Sequence, residues 1–273
     1  MLTTQQLKDI EQLQKECEIH DHVQLKLNWE MLEAREADPL DFFHYEHDEL
    51  VAFIGLYPFG STVEVCGMVK VSERRKGHFT RLFHQAMEQV KLNGYRRILL
   101  NAPAGSEAGR AFLNKLGAEH AFSEYQMEWQ EMTLPETDDI NLRQATSEDY
   151  EMSVRLSVEA FGLDEEDARA TEGNYLTDKS DNLMIDVNEE AVGKVRVSHK
   201  EGQAWIYGFC ILPKHQGQGI GRKVLCKIVK QQSSAGYSVH LEVETKNGQA
   251  LGLYESVGFR VVHAQDYYHY PCG

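Results

Sequence analysis

Gln216-Gly217-Gln218-Gly219-Ile220-Gly221-Arg222 follows the apolar run Ala204 to Leu212 and opens the helical pattern Lys223 to Gln232. Strand, glycine loop and helix in that order form a phosphate-binding layout. Closely placed glycines let main-chain N–H groups approach an anion, and the helix behind them adds the positive end of its dipole. Spacing narrows the kind. A P-loop needs Gly-x-x-x-x-Gly-Lys-Ser/Thr, and no glycine here precedes Lys-Ser or Lys-Thr at that distance. A dinucleotide fingerprint needs GxGxxG early in a βαβ unit, with an acid about 20 residues on; these glycines run GxGxG. The expected anion is a diphosphate.

The chain has 273 residues, more than the usual domain size of about 100–150, so two domains are expected. With 42% hydrophobic residues and six prolines it can bury proper cores. No run of 18 apolar residues occurs, and the first residues, MLTTQQLKDIEQLQKE, read as an amphipathic helix and not as a signal peptide. A soluble, cytoplasmic protein is expected. Five cysteines (Cys17, Cys66, Cys210, Cys226, Cys272) with no CxxC argue against a disulfide framework and a thiolate zinc site. A net charge of −15 disfavours nucleic acid and an anionic membrane surface, and it suits an amine substrate. An oligomer is compatible with all of this.

Leu7, Ile10 and Leu13 fall at helical spacing, and a second helical pattern covers His22 to Arg35. Strands are predicted at Asp41–Tyr45, Glu49–Leu56 and Thr62–Val71, a helix at Gly77–Asn93, a strand at Arg96–Asn101, a helix at Ser106–Leu116 and a strand at Phe122–Trp129. Glu131 to Asp139 has proline, threonine and acids but no period, and reads as a linker. Beyond it come a strand at Ile140–Ala145 and an N-cap at Thr146-Ser147-Glu148-Asp149 with a helix to Phe161. A helix at Asp164–Leu176 and strands at Leu183–Val187, Ala191–Ser198 and Ala204–Leu212 follow. After the glycine loop and its helix, a strand covers Ser238–Glu244, a helix Gly248–Val257, and Phe259–Val262 begins a last strand.

The halves repeat. A displacement of about 142 residues lays Arg74–Thr80 on Gln216–Arg222, and Phe112–Gly117 falls on Leu253–Gly258. Gln216, Gly219 and Gly221 fit Q/R-x-x-G-x-G/A, which resembles the acyl-CoA pyrophosphate loop of the GNAT acetyltransferases. Leu241-Glu242-Val243 through Asn247, Leu253-Tyr254 and Gly258-Phe259 resembles that family's second signature, most closely in the branch acting on protein N-terminal amines. The resemblance implies an α/β fold of two tandem GNAT domains, each a central mixed sheet flanked by helices. Residues 1–134 would form a degenerate domain and residues 135–273 the catalytic one.

The same resemblance implies acetyl-CoA as donor and a primary amine, small molecule or peptide N-terminus, as acceptor. The loop Gln216, Gly217, Gln218, Gly219, Ile220, Gly221 and Arg222 would hold the diphosphate, and the backbone of Phe209, Cys210, Ile211 and Leu212 would take the pantetheine arm. Tyr254 stands at the family's general acid and Glu242 at the general base of the N-terminal-amine branch. Alternation puts His240, Glu242 and Glu244 on one face, so Glu244 could serve through a water. Asn247 is a cofactor contact, the N-cap of the next helix, or both. Cys210 lacks a flanking base that would make it a nucleophile.

In the first half, Phe79 replaces Gly221, Leu113 replaces Tyr254, Asn101 falls at Glu242 and Ser106 near Asn247. That half keeps a scaffold without proton-transfer groups, and a structural or substrate-shaping role is expected. A non-catalytic CoA-binding sensor or scaffold is the alternative for the whole chain. His20-Asp21-His22 and His44-Tyr45-Glu46-His47 offer no third ligand by spacing, so surface histidines and no metal are expected. Tyr267-Tyr268-His269-Tyr270 either lines the acceptor pocket or forms an aromatic terminal strand.

Overall fold

Thr3 opens the first helix with a capping box. Its hydroxyl accepts from Gln6 N at 3.1 Å, while the Gln6 side chain accepts from Thr3 N at 2.9 Å. The computed structural model describes residues 1–35, 39–137, 140–175 and 180–271. The end of the expected linker at Asp138-Asp139, the helix end at Leu176 and Cys272 lie outside these residues.

The chain forms two compact units, Met1–Ser123 with His263–Gly273, and Glu124–Val262. The first contains α1 (Thr4–Asp21), α2 (Trp29–Glu33), β1 (Asp41–Glu46), β2 (Glu49–Phe59), β3 (Thr62–Val69), α3 (His78–Asn93), β4 (Arg97–Pro103) and α4 (Glu107–Lys115). Strand β5 (Glu119–Trp129) gives its first residues to this unit and its remainder to the second. The second holds β6 (Asn141–Gln144), α5 (Tyr150–Phe161), α6 (Glu165–Tyr175), β7 (Asp181–Val187), β8 (Glu190–Lys200), β9 (Gln203–Ile211), α7 (Ile220–Ser234), β10 (Ser238–Glu244) and α8 (Gly248–Val257). Strand β11 (Phe259–Tyr270) begins in the second unit and ends in the first. A cut at residue 134 follows the linker composition, whereas compactness follows these two strand ends.

In the first unit β1, β2 and β3 pair antiparallel, β3 and β4 parallel, and β4 pairs antiparallel with Gln265–Tyr270 of β11. In the second, β6 to β9 pair antiparallel in order, β9 and β10 parallel, and β10 antiparallel with Glu124–Glu128 of β5. Each parallel pair needs a crossover, and α3 and α7 supply them. Apolar residues on both faces of the strands bury against helices. Leu82, Phe83 and Val90 of α3 join Ile54, Val65 and Ile98, and Val224, Leu225 and Ile228 of α7 join Val195, Ile206 and Leu241. The terminal strand reading holds for Tyr267 and Tyr270: the first stacks on Phe122 at 4.5 Å, the second meets Phe83 edge-on at 5.3 Å.

The helix expected over His22–Arg35 is helical only at Trp29–Glu33. His22 takes a left-handed conformation (φ 54°) and caps α1. The stretch after it is then held in a non-helical path by tertiary bonds: Leu25 N donates to Glu18 at 2.9 Å, Lys26 Nζ to Tyr267 Oη at 2.6 Å, and Gln265 Nε2 to Gln24 O at 2.8 Å. Local periodicity loses to those anchors.

At the start of the second unit, Arg143 donates two bonds of 2.7 Å to Asp149 and one of 2.8 Å to Asp186. Asp149 also accepts from Thr146 N at 2.8 Å, completing the predicted cap. The Arg143 hydrogen bonds hold the Asp149 carboxyl well below the usual carboxylate range, and the Thr146 bonds add to this. A depressed folded-state pKa contributes stability above the unfolded value near 3.8 that is lost as pH falls below it. Asp149→Asn should cost about 1–2 kcal/mol at pH 7, a figure held down because Arg143 is more than a third exposed. Urea melts of the two proteins should converge as pH drops below about 4; a gap independent of pH would assign the effect to packing.

Candidate functional site

Strand β9 pairs with β10 from Gln203↔Ser238 to Ile206↔Leu241, and the two then separate although β9 runs on to Ile211 and β10 to Glu244. On its other side β9 breaks register: Arg196 faces Tyr207, but Lys194 faces Cys210. Gly208 is the extra residue, at φ 55°, a left-handed conformation that glycine adopts without strain. The equivalent strand β3 pairs with β2 without interruption. The offset between the copies shows the insertion directly: Thr62 and Gln203, each paired with the first residue of its parallel neighbour, stand 141 apart, while Val69 and Ile211 stand 142 apart. A single glycine inside an apolar strand run was the available signal for a bulge.

The glycine loop folds behind this opening. Gln216 Nε2 donates to Ile211 O at 2.9 Å and Gln218 Nε2 to Lys214 O at 3.3 Å, so both glutamines brace the loop. Gly219 (φ 78°) is the N-cap of α7, with no side-chain cap bond, and space is open where side chains at Gly217 and Gly219 would begin. The first amides of α7, at Ile220, Gly221 and Arg222, therefore face that open space without a capping side chain, which fits a diphosphate. Lys214 pairs with Glu190 at 2.7 Å and Arg222 Nη2 reaches Ser256 O at 3.3 Å.

Asn247 caps α8, its side chain accepting from Ala250 N at 3.1 Å. Tyr254, on that helix, is buried against Phe259, with ring centroids 6.1 Å apart. Burial pushes its phenol up to about 12, helped by Cys210 nearby. Such a group stays protonated across the physiological range and suits an acid, not a base. Burial likewise pushes the Cys210 thiol up to about 12 against the pull of Lys194, which leaves almost no thiolate for nucleophilic attack. Glu242 is half-buried and accepts from Gln126 Nε2 at 2.9 Å, whereas Glu244 is exposed. On the same face His240 stacks on Trp205 at 4.9 Å, and burial holds its pKa down.

Sequence reasoning missed a polar cluster in a cavity of about 440 Å³ beside the bulge, lined among others by Gly208, Lys194, Arg196, Glu172 and Ser157. Lys194 and Glu172 are a buried ion pair, and Lys194 Nζ also donates to Ser157 Oγ at 2.6 Å and Ser153 O at 3.0 Å. A lysine inside the apolar run Ala191–Val197 was the visible clue.

The first unit keeps the loop geometry with other residues. Arg74 Nε donates to Val69 O at 3.2 Å, as Gln216 does to Ile211, but its guanidinium is bound bidentate by Asp21 at 2.7 and 2.8 Å. A side chain at Gly67 would meet Phe79 at 2.8 Å; one at Gly221 would meet Phe209 at 3.6 Å. Gly67 corresponds to Phe209 and Phe79 to Gly221. One phenyl ring thus fills the same space in each unit, carried by the strand in one and by the helix in the other.

Residues 4–118 and 140–259 both match the Acetyltransferase (GNAT) family. The chain belongs to the GNAT acetyltransferase family. N-alpha-acetyltransferase RimI of Mycobacterium tuberculosis is 43% identical over 61 residues, 22% of this chain and 37% of that protein. Ribosomal protein bS18 alanine N-acetyltransferase of Haemophilus influenzae is 33% identical over 94 residues, 34% of this chain and 64% of its own length. The match thus spans between 37% and 64% of these GNAT relatives. A GCN5-related N-acetyltransferase from Sphaerobacter thermophilus superposes with a TM-score of 0.77 at 18% identity, covering 96% of this chain and 91% of its own. A tandem GNAT protein from the clavulanic acid biosynthesis pathway gives 0.69 at 13%, covering 100% and 97%. Likeness at these identities shows the tandem GNAT fold alone.

The exchanged ring gives a test of the duplicated GNAT packing. Phe209→Gly should destabilise by about 2–3 kcal/mol, less than a fully buried ring would because Phe209 is only partly buried, and Gly221→Phe by about 1–3 kcal/mol through overpacking. The double variant, which copies the first unit, should lose clearly less than their sum in a denaturant double-mutant cycle. Simple additivity would mean that the two positions do not share one space.

Proposed function

We propose that the second unit transfers an acetyl group from acetyl-CoA to a primary amine by direct attack in a ternary complex. In this reading residues 135–273 are the catalytic GNAT domain, and residues 1–134 a degenerate one with a structural or substrate-shaping role. The supporting observation is the parting of β9 from β10 at a bulge, directly ahead of an uncapped helix start. That opening leaves the edge of β9 that faces β10 without a strand partner beyond Ile206 among the described residues. A pantetheine arm can bond there to main-chain groups of Phe209 to Leu212 like an added strand, although Leu212 N already bonds Val192 O and Ile211 O already accepts from Gln216. The anion-binding loop Gln216 to Arg222 lies at its end, and Asn247 can contact the arm.

The chemistry follows from the charges. The amine nitrogen attacks the thioester carbonyl carbon, the carbon–sulfur bond breaks, and the electron pair leaves on sulfur. Tyr254, kept protonated by burial, gives its proton to the departing thiolate. The proton shed by the attacking nitrogen passes to Glu242, directly or through water, with Gln126 holding the carboxylate in place. A main-chain N–H beside the bulge polarises the carbonyl.

The amine enters through the cavity lined by Gly208, Glu172 and Lys194, whose volume of about 440 Å³ accommodates a small molecule or the first residues of a peptide. RimI-type relatives favour a peptide N-terminus as the first class to assay. We place the activity in the cytoplasm and independent of nucleic acid and membranes; among the described residues no helix is long and apolar enough to cross a bilayer.

Thiol release from acetyl-CoA over a panel of peptide and small-molecule amines tests this. Tyr254→Phe should lower kcat by about 10²-fold or more with little change in the KM for acetyl-CoA, and Glu242→Gln should also lower kcat. Full activity in Tyr254→Phe would remove the general-acid assignment. Thermal stabilisation by CoA with no turnover on any amine would instead support a CoA-binding sensor.

A further inference from the structure

His44 and Glu46 stand two residues apart on β1, so alternation sets both on one face. The first residue of α3, His78, lies over that face, and Glu73 arrives from the 3-10 turn Val71–Glu73. His44 Nε2 is 3.2 Å from Glu46 Oε1, and His78 Nε2 is 3.7 Å from the same oxygen and 3.6 Å from Glu73 Oε2. The ligating atoms of His44, Glu46 and His78 all lie within 4.8 Å of one another. The two His78 distances are too long for hydrogen bonds, and its buried Nε2 makes none. Yet ligands bound 2.0–2.1 Å from one tetrahedral ion stand about 3.3 Å apart, close to all three separations. Spacing in sequence could not reveal this set, because His78 is 34 residues beyond His44.

We propose that His44, Glu46, His78 and Glu73 form a binding site for a divalent transition metal of the zinc class. Two imidazoles select such an ion over magnesium or calcium, and two carboxylates balance its charge. Three ligand atoms converge, those of His44, Glu46 and His78, and Glu73 closes the fourth position by turning its carboxylate away from Lys76, which makes the site structural and ties β1 to the start of α3. His78 and Glu73 also line a cavity of about 590 Å³ bounded by Arg74, Phe79 and Asn101, so the ion would fix the rim of that cavity. Two cations now stand against the ligand atoms themselves. Lys76 Nζ is 2.8 Å from Glu73 Oε2, and Arg81 Nη2 is 2.6 Å from His44 Nδ1 and 3.1 Å from His44 Nε2. Both side chains are exposed and can swing into solvent when an ion replaces them.

The test is calorimetric titration of the chelator-treated full chain with zinc chloride, together with visible absorption on adding cobalt(II). One ion should bind per chain, with cobalt absorption of a four-coordinate nitrogen–oxygen site. His44→Gln and His78→Gln should each weaken binding by about tenfold or more, and Arg81→Gln should strengthen it by removing a competing charge. Glu46, 40% exposed, tolerates replacement, so Glu46→Gln carries the test if a histidine variant does not fold. Zinc affinity unchanged in the folded ligand variants, or no binding tighter than about 0.1 mM in either the native chain or Arg81→Gln, would overturn the proposal. Metal binding is read here without reference to acetyl transfer, so it stands or falls apart from the activity of the second unit.

Discussion

One inserted residue in β9 distinguishes the strand that borders the candidate site from its counterpart β3 in the first unit. Gly208 adds a residue to β9 and shifts its register against β8, just where β9 has also parted from β10 beyond Ile206, as β3 parts from β4 in the first unit. Backbone groups of a sheet normally satisfy one another, and leaving several unpaired in a protein interior is costly unless a ligand or water takes them. The glycine loop, the uncapped start of α7 and the buried Tyr254 all gather around that opening.

The duplication supplies an internal control. Both copies separate their parallel strands after four paired residues, both brace the loop by a side chain on the strand-end carbonyl, and both cap the last helix with a side-chain oxygen, Ser106 in one and Asn247 in the other. What differs is confined. The first copy has no bulge, carries Leu113 and Asn101 where the second has Tyr254 and Glu242, and neutralises its loop arginine with Asp21. The shared scaffold and the proposed site residues are therefore separable position by position, and the shifted phenyl ring at Phe79 and Phe209 shows that even the shared core tolerates a change of donor position so long as volume is kept.

Most elements were legible because they are local. Strand alternation, the acids after Thr146 and the glycines that close α3, α5 and α8 act within a few residues, and the observed boundaries follow them. The exception at His22–Arg35 failed where contacts with Gln265 and Tyr267, over 240 residues away, overrode a helical pattern. The same limit applies to the site. Gln216, Gly219, Glu242 and Tyr254 sit in contiguous signatures and could be named directly. Gln126 beside Glu242, and Glu172 beside Lys194, meet only through the fold, and no spacing rule connects them.

The discontinuous make-up of the first unit has a consequence for how the chain is made. Its sheet is completed by Gln265–Tyr270 pairing with β4, and Tyr268 belongs to its core. During synthesis from the N-terminus the first unit must therefore wait, with the β4 edge and the aromatic faces of Phe83 and Phe122 uncovered, until the whole second unit has left the ribosome. An exposed strand edge is a site of wrong pairing. The interval between the emergence of Pro103 and of Gln265 is thus the period in which this nascent chain most needs a chaperone.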